Sequence, residues 1–140
     1  MPKFALQFVE AVKGNQTFEK LVVDGVSPFD VFENKLEVKY RRSLEKIYYY
    51  MNEVANNMAL PSSKFKDVTP DKGNVKEYEF KDGDLRVYCI SKFGGKIIIL
   101  GGYKNKQKQD FRKFRSLKKQ YLNQETNKTT NDEKRRTPKK

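Results

Sequence analysis

The sequence predicts an α+β fold in which a small antiparallel sheet packs against two N-terminal helices and is followed by a C-terminal helix. Two observations indicate this class. Apolar residues recur at the α-helical period over residues 29–58. Three β-rich runs follow at residues 75–81, 84–93 and 96–104, and a two-residue turn signal joins each run to the next.

The N-terminal segment predicts a strand or a hairpin that joins the same sheet. Phe4, Leu6 and Phe8 alternate with other side chains, which is typical of a half-buried strand. Residues 13–16 form a turn signal, and residues 17–23 are β-rich enough to return as the partner strand.

The next segment begins with a helix start signal. Ser27 suits the N-cap, Pro28 suits the first helical position, and Asp30 places an acid in the first turn. The apolar stripe indicates one long helix, or two consecutive helices with a break near residues 38–43. A loop over residues 61–74 follows. The stripe consists of Phe29, Phe32, Leu36, Tyr40, Leu44, Ile47, Met51, Val54 and Met58.

The three β-rich runs predict an antiparallel meander whose turns are residues 82–83 and 94–95. With these turns, Glu79 faces Arg86 across the first pair of strands, and Arg86 faces Tyr103 across the second. One face of the meander is then apolar and should pack on the helices. That face carries Tyr78, Phe80, Leu85, Val87, Cys89, Ile98 and Leu100. The other face carries Glu77, Glu79, Arg86, Tyr88, Gly101 and Tyr103.

The C-terminal part of the chain predicts a basic helix and a tail. Residues 107–122 place apolar side chains on one face and basic side chains around the rest. From Gln124 onward no aliphatic or aromatic residue occurs, which favours disorder. We therefore expect a single domain over residues 1–123 and a basic disordered tail over residues 124–140.

The charge of the chain is strongly positive and unevenly placed. Thirty Lys and Arg residues against 18 Asp and Glu give a net charge of +12. Ten of the twelve excess charges lie in residues 103–140. Such a field attracts polyanions, RNA or DNA first and an anionic membrane surface second. A solvated basic helix with no partner is the plainer interpretation.

The composition also excludes several kinds of site. The chain has no histidine and one cysteine, which excludes histidine metal ligands, histidine acid–base catalysis, cysteine-cluster zinc sites and an intrachain disulfide. We expect neither a metal nor another cofactor. No run of 18 apolar residues occurs, and residues 1–10 do not have the pattern of a signal peptide. A cytoplasmic protein is therefore expected.

The polar face of the predicted meander suits phosphodiester chemistry without histidine. In this register Arg86 lies between Glu79 and Tyr103 on neighbouring strands. Lys104 and Lys106 come directly after Tyr103 in the sequence. Arginine and lysine can neutralise a pentacoordinate phosphate, and a carboxylate can take the proton of a 2′-hydroxyl. A lysine or tyrosine can protonate the leaving 5′-oxygen if neighbouring cations lower its pKa. A simple cross-strand ion pair between Glu79 and Arg86 is the alternative.

The sequence resembles the RelE/HigB-type toxins of bacterial type II toxin–antitoxin systems. The specific part of the resemblance lies in residues 78–108, and the element order extends it over residues 27–122. It rests on Tyr78-Glu79-Phe80, on Leu85-Arg86-Val87-Tyr88, and on the run from Gly102 to Lys108. The helix start at Ser27 and the loop that begins at Leu60-Pro61 are also similar to HigB-like members.

The resemblance implies a metal-independent endoribonuclease that cleaves mRNA, usually in the ribosomal A site, and that a cognate, DNA-binding antitoxin neutralises. By matching position, Arg86 binds phosphate, Glu79 is the strand carboxylate that some members use as a base, and Tyr103 is the aromatic residue before the basic Lys104. The residues expected to contact RNA are Lys106, Lys108, Arg112, Lys113 and Tyr88.

The chain departs from the family pattern in three respects. Some members carry a catalytic histidine near the last strand, where this chain has none. Others carry paired lysines on the first meander strand, where this chain has Glu77 and Glu79. The N-terminal hairpin and the basic tail are additional. The identity of the general acid and base therefore stays open.

Two other functions are consistent with the same residues. The chain could be a non-catalytic RNA- or DNA-binding module on the same fold, which the charge placement alone would support. It could also be a protein whose basic helix binds an acidic partner. An acidic antitoxin would satisfy both this interpretation and the toxin hypothesis.

Overall fold

The computed structural model describes residues 2–70, 72 and 75–136, with side chains described as far as residue 126. It has a six-stranded sheet with helices on both faces. The predicted α+β class is confirmed. The strands are β1 (Phe4–Phe8), β2 (Thr17–Val23), β3 (Phe65–Asp67), β4 (Glu77–Asp82), β5 (Leu85–Lys92) and β6 (Gly95–Tyr103). The helices are α1 (Pro28–Asn34), α2 (Arg41–Ala55) and α3 (Gln107–Arg136), and short 3₁₀ turns occur at Val38–Tyr40 and Lys104–Lys106.

The sheet is larger than predicted and is mixed rather than antiparallel. Its strand order is β1-β2-β6-β5-β4-β3. The N-terminal hairpin and the three-stranded meander both form, and β2 pairs with β6 in parallel. The chain leaves β2 through α1 and α2, enters the far edge of the sheet at β3 and returns through β4 and β5, so that β6 runs parallel to β2. Strand β3 lies inside the loop predicted for residues 61–74, of which residues 71, 73 and 74 lie outside the described residues.

The two N-terminal helices follow the sequence signals closely. The side chain of Ser27 caps α1 by accepting a hydrogen bond from the backbone N–H of Asp30 at 3.2 Å, and Pro28 occupies the first turn. The stripe is divided into two helices at the predicted break. Both helices pack on one face of the sheet, where Phe29, Ile47 and Met51 are fully buried.

The registers of the meander differ from the predicted ones. Gly83 and Asp84 form the first loop, so Arg86 faces Lys81 and not Glu79. Gly83 has a positive φ at the first loop position, which is the geometry of a type II′ turn. In the second hairpin the loop is residues 93–94, and Arg86 faces Gly102 and not Tyr103.

A β-bulge in β6 also changes which side chains share a face. Tyr88 pairs with Leu100 but Cys89 pairs with Ile98, so Ile99 is an extra residue. Because one extra residue reverses the alternation, Tyr103 points to the α1 and α2 face. Glu79, Arg86 and Tyr88 do share the opposite face, as predicted. Gly101 and Tyr103 do not share it, and Leu100 lies on it instead of on the apolar face.

Helix α3 covers the opposite face of the sheet and continues beyond its predicted end. Phe114 is buried against Tyr88 of β5, and Tyr121 is buried against Phe4 of β1. The sequence predicted a helix over residues 107–122 and a disordered tail from Gln124, but the helical backbone continues to Arg136. No glycine or proline interrupts residues 107–136, and Gln124 accepts a hydrogen bond from the backbone N–H of Phe4. Residues 137–140 of the predicted tail lie outside the described residues.

Among the residues that the structure describes, no helix is both long enough and apolar enough to span a membrane.

Candidate functional site

A concavity of 610 Å³ opens at the C-terminal end of the inner strand β6, where α3 begins. Three segments of the chain meet there: the link between α1 and α2, the β4–β5 turn, and the 3₁₀ turn that follows β6. The concavity is lined by Glu37, Tyr40, Asp84, Tyr103, Lys104, Asn105, Lys106 and Gln107.

A backbone hydrogen bond holds two of these segments together. The N–H of Lys104 donates to the carbonyl of Asp84 at 2.7 Å, so the end of β6 is fixed against the β4–β5 turn. Glu37 and Tyr40 enter from the other side, because the helix break between α1 and α2 brings residues 37–40 over the end of β6. The local fold therefore gathers carboxylates, lysines and tyrosines from distant parts of the sequence.

Aromatic side chains form one wall of the concavity. The Tyr103 ring lies 5.2 Å from that of Tyr40 and 5.6 Å from that of Phe32, measured between ring centroids. Burial, followed by the negative charge of Glu37, raises the pKa of Tyr103 above its usual value. The phenol therefore keeps its proton at neutral pH and can donate a hydrogen bond. The shift is opposite to the lowering of the pKa by neighbouring cations that would favour a tyrosine as proton donor.

The polar wall carries both signs of charge. Glu37 and Asp84 supply two exposed carboxylates, and Lys104 and Lys106 supply two exposed ammonium groups. Within the described part of the chain, no ion pair within 4 Å holds Asp84, Lys104 or Lys106. These lysines are available to an anion and Asp84 is available as a proton acceptor, whereas Glu37 lies 3.9 Å from Lys39 Nζ.

The predicted catalytic residues are divided between two places. Tyr103 and Lys104 line the concavity, whereas Arg86 and Glu79 are 8% and 3% exposed beneath the first turn of α3. Arg86 Nη1 donates to the carbonyls of Gly83 and Leu85 at 2.8 and 2.7 Å. These bonds brace the turn that carries Asp84.

Glu79 is linked to the concavity through one side chain. Its Oε2 accepts a hydrogen bond from Gln107 Nε2 at 2.7 Å, and Gln107 also lines the concavity. Glu79 thus fixes a residue of the site without reaching the surface itself.

Three buried polar atoms near these residues have no hydrogen-bond partner among the described residues. They are Arg86 Nε, the Tyr88 hydroxyl and Asp110 Oδ2. Burial is the main cause that raises the pKa of both Tyr88 and Asp110. Tyr88, which the sequence assigned to RNA contact, is fully buried. Of the other predicted RNA contacts, Lys106 lines the concavity, and Lys108, Arg112 and Lys113 are exposed on α3.

Sequence reasoning missed five lining residues. Two of them, Asn105 and Gln107, lie between or beside the predicted lysines and were given no role. Tyr40 was counted only as a member of the apolar stripe that predicts the helices. Asp84 was placed opposite Lys81 beside the predicted turn, and Glu37 fell next to the helix break. The correct register of the first hairpin would have indicated Asp84, and the exact position of the helix break would have indicated Glu37 and Tyr40.

Comparison of the chain with protein-family models, with curated proteins and with solved structures found no match. In the described residues, no group of three or more Cys, Asp and Glu side chains is arranged to hold a metal ion. The function is therefore inferred from the geometry of the concavity and from the charge of α3.

Proposed function

We propose that the chain is the toxin of a type II toxin–antitoxin system and cleaves mRNA, in a ribosome-dependent and metal-independent reaction. The observation that supports this most is the concavity at the end of β6, where two carboxylates, two lysines and a protonated tyrosine converge without any histidine. The order of helices, meander and final helix also agrees with the element order on which the resemblance rests.

The concavity offers a group for each step of RNA cleavage by its own 2′-hydroxyl. A carboxylate, Asp84 in our assignment, takes the 2′-hydroxyl proton as O2′ attacks the phosphorus. Lys104 and Lys106 neutralise the charge that develops on the phosphate oxygens. Tyr103 gives its proton to the departing 5′-oxygen. The products are a 2′,3′-cyclic phosphate and a 5′-hydroxyl end.

This assignment changes the roles of two predicted residues. Arg86 does not line the concavity, and we propose that it acts by holding the turn that presents Asp84. Glu79 acts by orienting Gln107. The partners remain those of the toxin hypothesis, namely mRNA, the ribosome and a cognate antitoxin, in the cytoplasm.

Primer extension on an mRNA in a purified translation system tests the proposal, with free mRNA in parallel. Wild-type protein should give in-frame cuts on translated message. Lys104→Ala and Asp84→Asn should each lower the cleavage rate about 100-fold or more, as the loss of a charge-stabilising group or a general base does. Lys46→Ala, which removes an exposed lysine of α2, is the matched control and should cleave normally. Full activity of Lys104→Ala would refute the assignment.

A non-catalytic RNA-binding module is the second candidate. One observation favours it: Arg86 and Glu79, which the resemblance makes catalytic, lie buried under α3. In that case no cuts should occur with or without ribosomes, while RNA binding persists and weakens steeply with salt. The same primer-extension gels, together with a binding titration, distinguish the two functions.

A further inference from the structure

Four exposed cations form a row along one flank of α3. They are Lys108, Arg112, Arg115 and Lys119. Their spacing of four, three and four residues places them on one side of the helix. At 1.5 Å per residue, the row is about 16 Å long. The acid of this segment, Asp110, is turned away from the row, because its carboxylate meets Gly102 of the sheet.

Contacts with the sheet show which flank carries the row. Arg115 Nε donates to Glu77 Oε1 and its Nη2 donates to the carbonyl of Val68, both at 3.0 Å. The row therefore borders β4 and the segment after β3. The neighbouring Lys118 donates to Glu77 Oε2 at 2.8 Å and to the carbonyl of Val75 at 2.6 Å.

The local balance of charge along this flank remains positive. Glu77 is 2% exposed and faces two cations, so Arg115, Lys118 and Glu77 together keep one positive charge. Lys108, Arg112 and Lys119 form no ion pair in the described structure. A cleft of 550 Å³ lies at the far end of the row, beside Lys119. Lys72 adds a further positive charge to the lining of this cleft.

The outer flank of the same helix is different. Gln109, Lys113, Ser116 and Gln120 follow the same kind of spacing and include a single cation. The positive charge of α3 is therefore one-sided. The row therefore leaves out Lys113, which has the same charge on the same helix and which the sequence lists among the expected RNA contacts.

We propose that this row is a track for the sugar–phosphate backbone of single-stranded RNA that leads from the concavity to the cleft beside Lys119. Lys104 and Lys106 connect the concavity with the first cation of the row. A line of cations at intervals of about 6 Å suits the repeating charge of a nucleic-acid backbone. A protein partner would favour large apolar or aromatic anchors, and all four side chains of the row are charged.

The track rests on the proposed function for the identity of the polymer, but it requires no cleavage. Its contacts are to phosphates, so binding should depend on the length of the strand and not on its sequence. The substrate would then be held at the concavity and along α3 at the same time.

Fluorescence anisotropy with 2′-O-methyl RNA, which lacks the attacking hydroxyl, tests the track. A 5-nucleotide and a 15-nucleotide strand are titrated at several salt concentrations. The test variant is Arg112→Glu with Lys119→Glu. The control is Arg42→Glu with Lys46→Glu on α2, which changes the net charge by the same amount. Circular dichroism verifies that both variants fold.

The test variant should bind the long strand at least tenfold more weakly than the wild type. Its slope of log affinity against log salt should fall by about 1.4, because each single-strand phosphate contact contributes about 0.7. The control variant should change affinity by less than threefold, and the short strand should bind all three proteins alike.

Three results would overturn the track. An equal loss in the control variant would show that only net charge matters. An unchanged affinity of the test variant would remove the row from the binding surface. Tighter, row-dependent binding of duplex DNA than of single-stranded RNA would identify a different polymer. Since these strands cannot be cleaved, a failure of the proposed nuclease activity would leave the binding result unaffected.

Discussion

The two faces of the sheet are covered by helices, but they are buried in different ways. The face under α1 and α2 is apolar apart from the buried Lys96, whose ammonium lies over the Tyr78 ring. Its largest buried side chains include Phe18, Phe29, Phe80 and Met51. The face under α3 combines an apolar patch with charged groups that are each less than 9% exposed. Those charged groups are Glu19, Glu77, Glu79, Arg86 and Lys118.

This difference has an energetic consequence. Burying apolar surface stabilises the fold, whereas burying a polar group costs free energy unless a partner satisfies it. Glu77 and Glu79 have partners, but Arg86 Nε, the Tyr88 hydroxyl and Asp110 Oδ2 have none among the described residues. We therefore expect the α1 and α2 face to carry most of the stability. The α3 face contains the polar groups that support the concavity and the basic row.

The largest expected effect compares one phenylalanine from each face. Phe80 and Phe114 are both fully buried. Phe80→Ala should lower the free energy of unfolding by about 3–5 kcal/mol, because it leaves a cavity beside Phe18 and Phe65 in the larger core. Phe114→Ala should lower the free energy of unfolding by a smaller amount, since α3 can detach locally while the sheet, α1 and α2 stay folded.

Urea denaturation followed by circular dichroism measures both variants. Hydrogen exchange then reports whether the amides of α3 lose protection before those of β5 in the Phe114→Ala protein. Equal losses of stability, with uniform exchange, would show that the two faces do not differ as we describe.

Two adjacent glycines sharpen the comparison, because each faces a different layer. A Cβ at Gly101 would lie 2.4 Å from Phe32 Cδ2, and a Cβ at Gly102 would lie 2.0 Å from Asp110 Oδ2. Gly101→Ala and Gly102→Ala should each cost about 1–3 kcal/mol through overpacking. Only Gly102→Ala should be rescued by Asp110→Ala, which removes the obstructing carboxylate.

A double-mutant cycle from urea denaturation gives the coupling energy for this pair. The combination of Gly101→Ala with Asp110→Ala is the matched control and should be additive. Additive losses in both combinations would mean that Asp110 does not pack against Gly102.

Much of the fold could be predicted because its signals are local. The cap at Ser27, the break near residues 38–43 and the turn glycines each act over a few neighbouring residues. The helical period and the alternation of strands then assign most elements to their types.

The candidate site could be predicted only in part, because it depends on register. A loop shifted by one residue moved Arg86 away from Glu79, and the bulge at Ile99 turned Tyr103 to the other face. Neither event leaves a distinct pattern in a single sequence. The burial of Arg86 under α3 depends in addition on how a helix packs, which the period of that helix does not determine.

The smallest expected effect concerns pH and the polar α3 face. Burial raises the pKa of Asp110, while Lys113 and Lys106 oppose that shift, and Tyr88 of β5 faces the same carboxylate. A raised pKa means that the folded state favours the protonated form. The stability that Asp110 provides is therefore complete below its unfolded pKa of about 3.9 and declines as the pH rises through the folded value.

Asp110→Asn should consequently become more stable relative to wild type between pH 3 and pH 7. The gain should stay within about 0.5 kcal/mol, since Asp110 is only partly buried and water screens its charge. Thermal unfolding at several pH values measures it, with Glu45→Gln on the exposed side of α2 as the control for loss of a charge. If the stability difference between Asp110→Asn and wild type shrinks as the pH rises, the lysines at the start of α3 stabilise the Asp110 carboxylate. Burying polar groups on the α3 face would then cost less free energy than its unpaired atoms indicate.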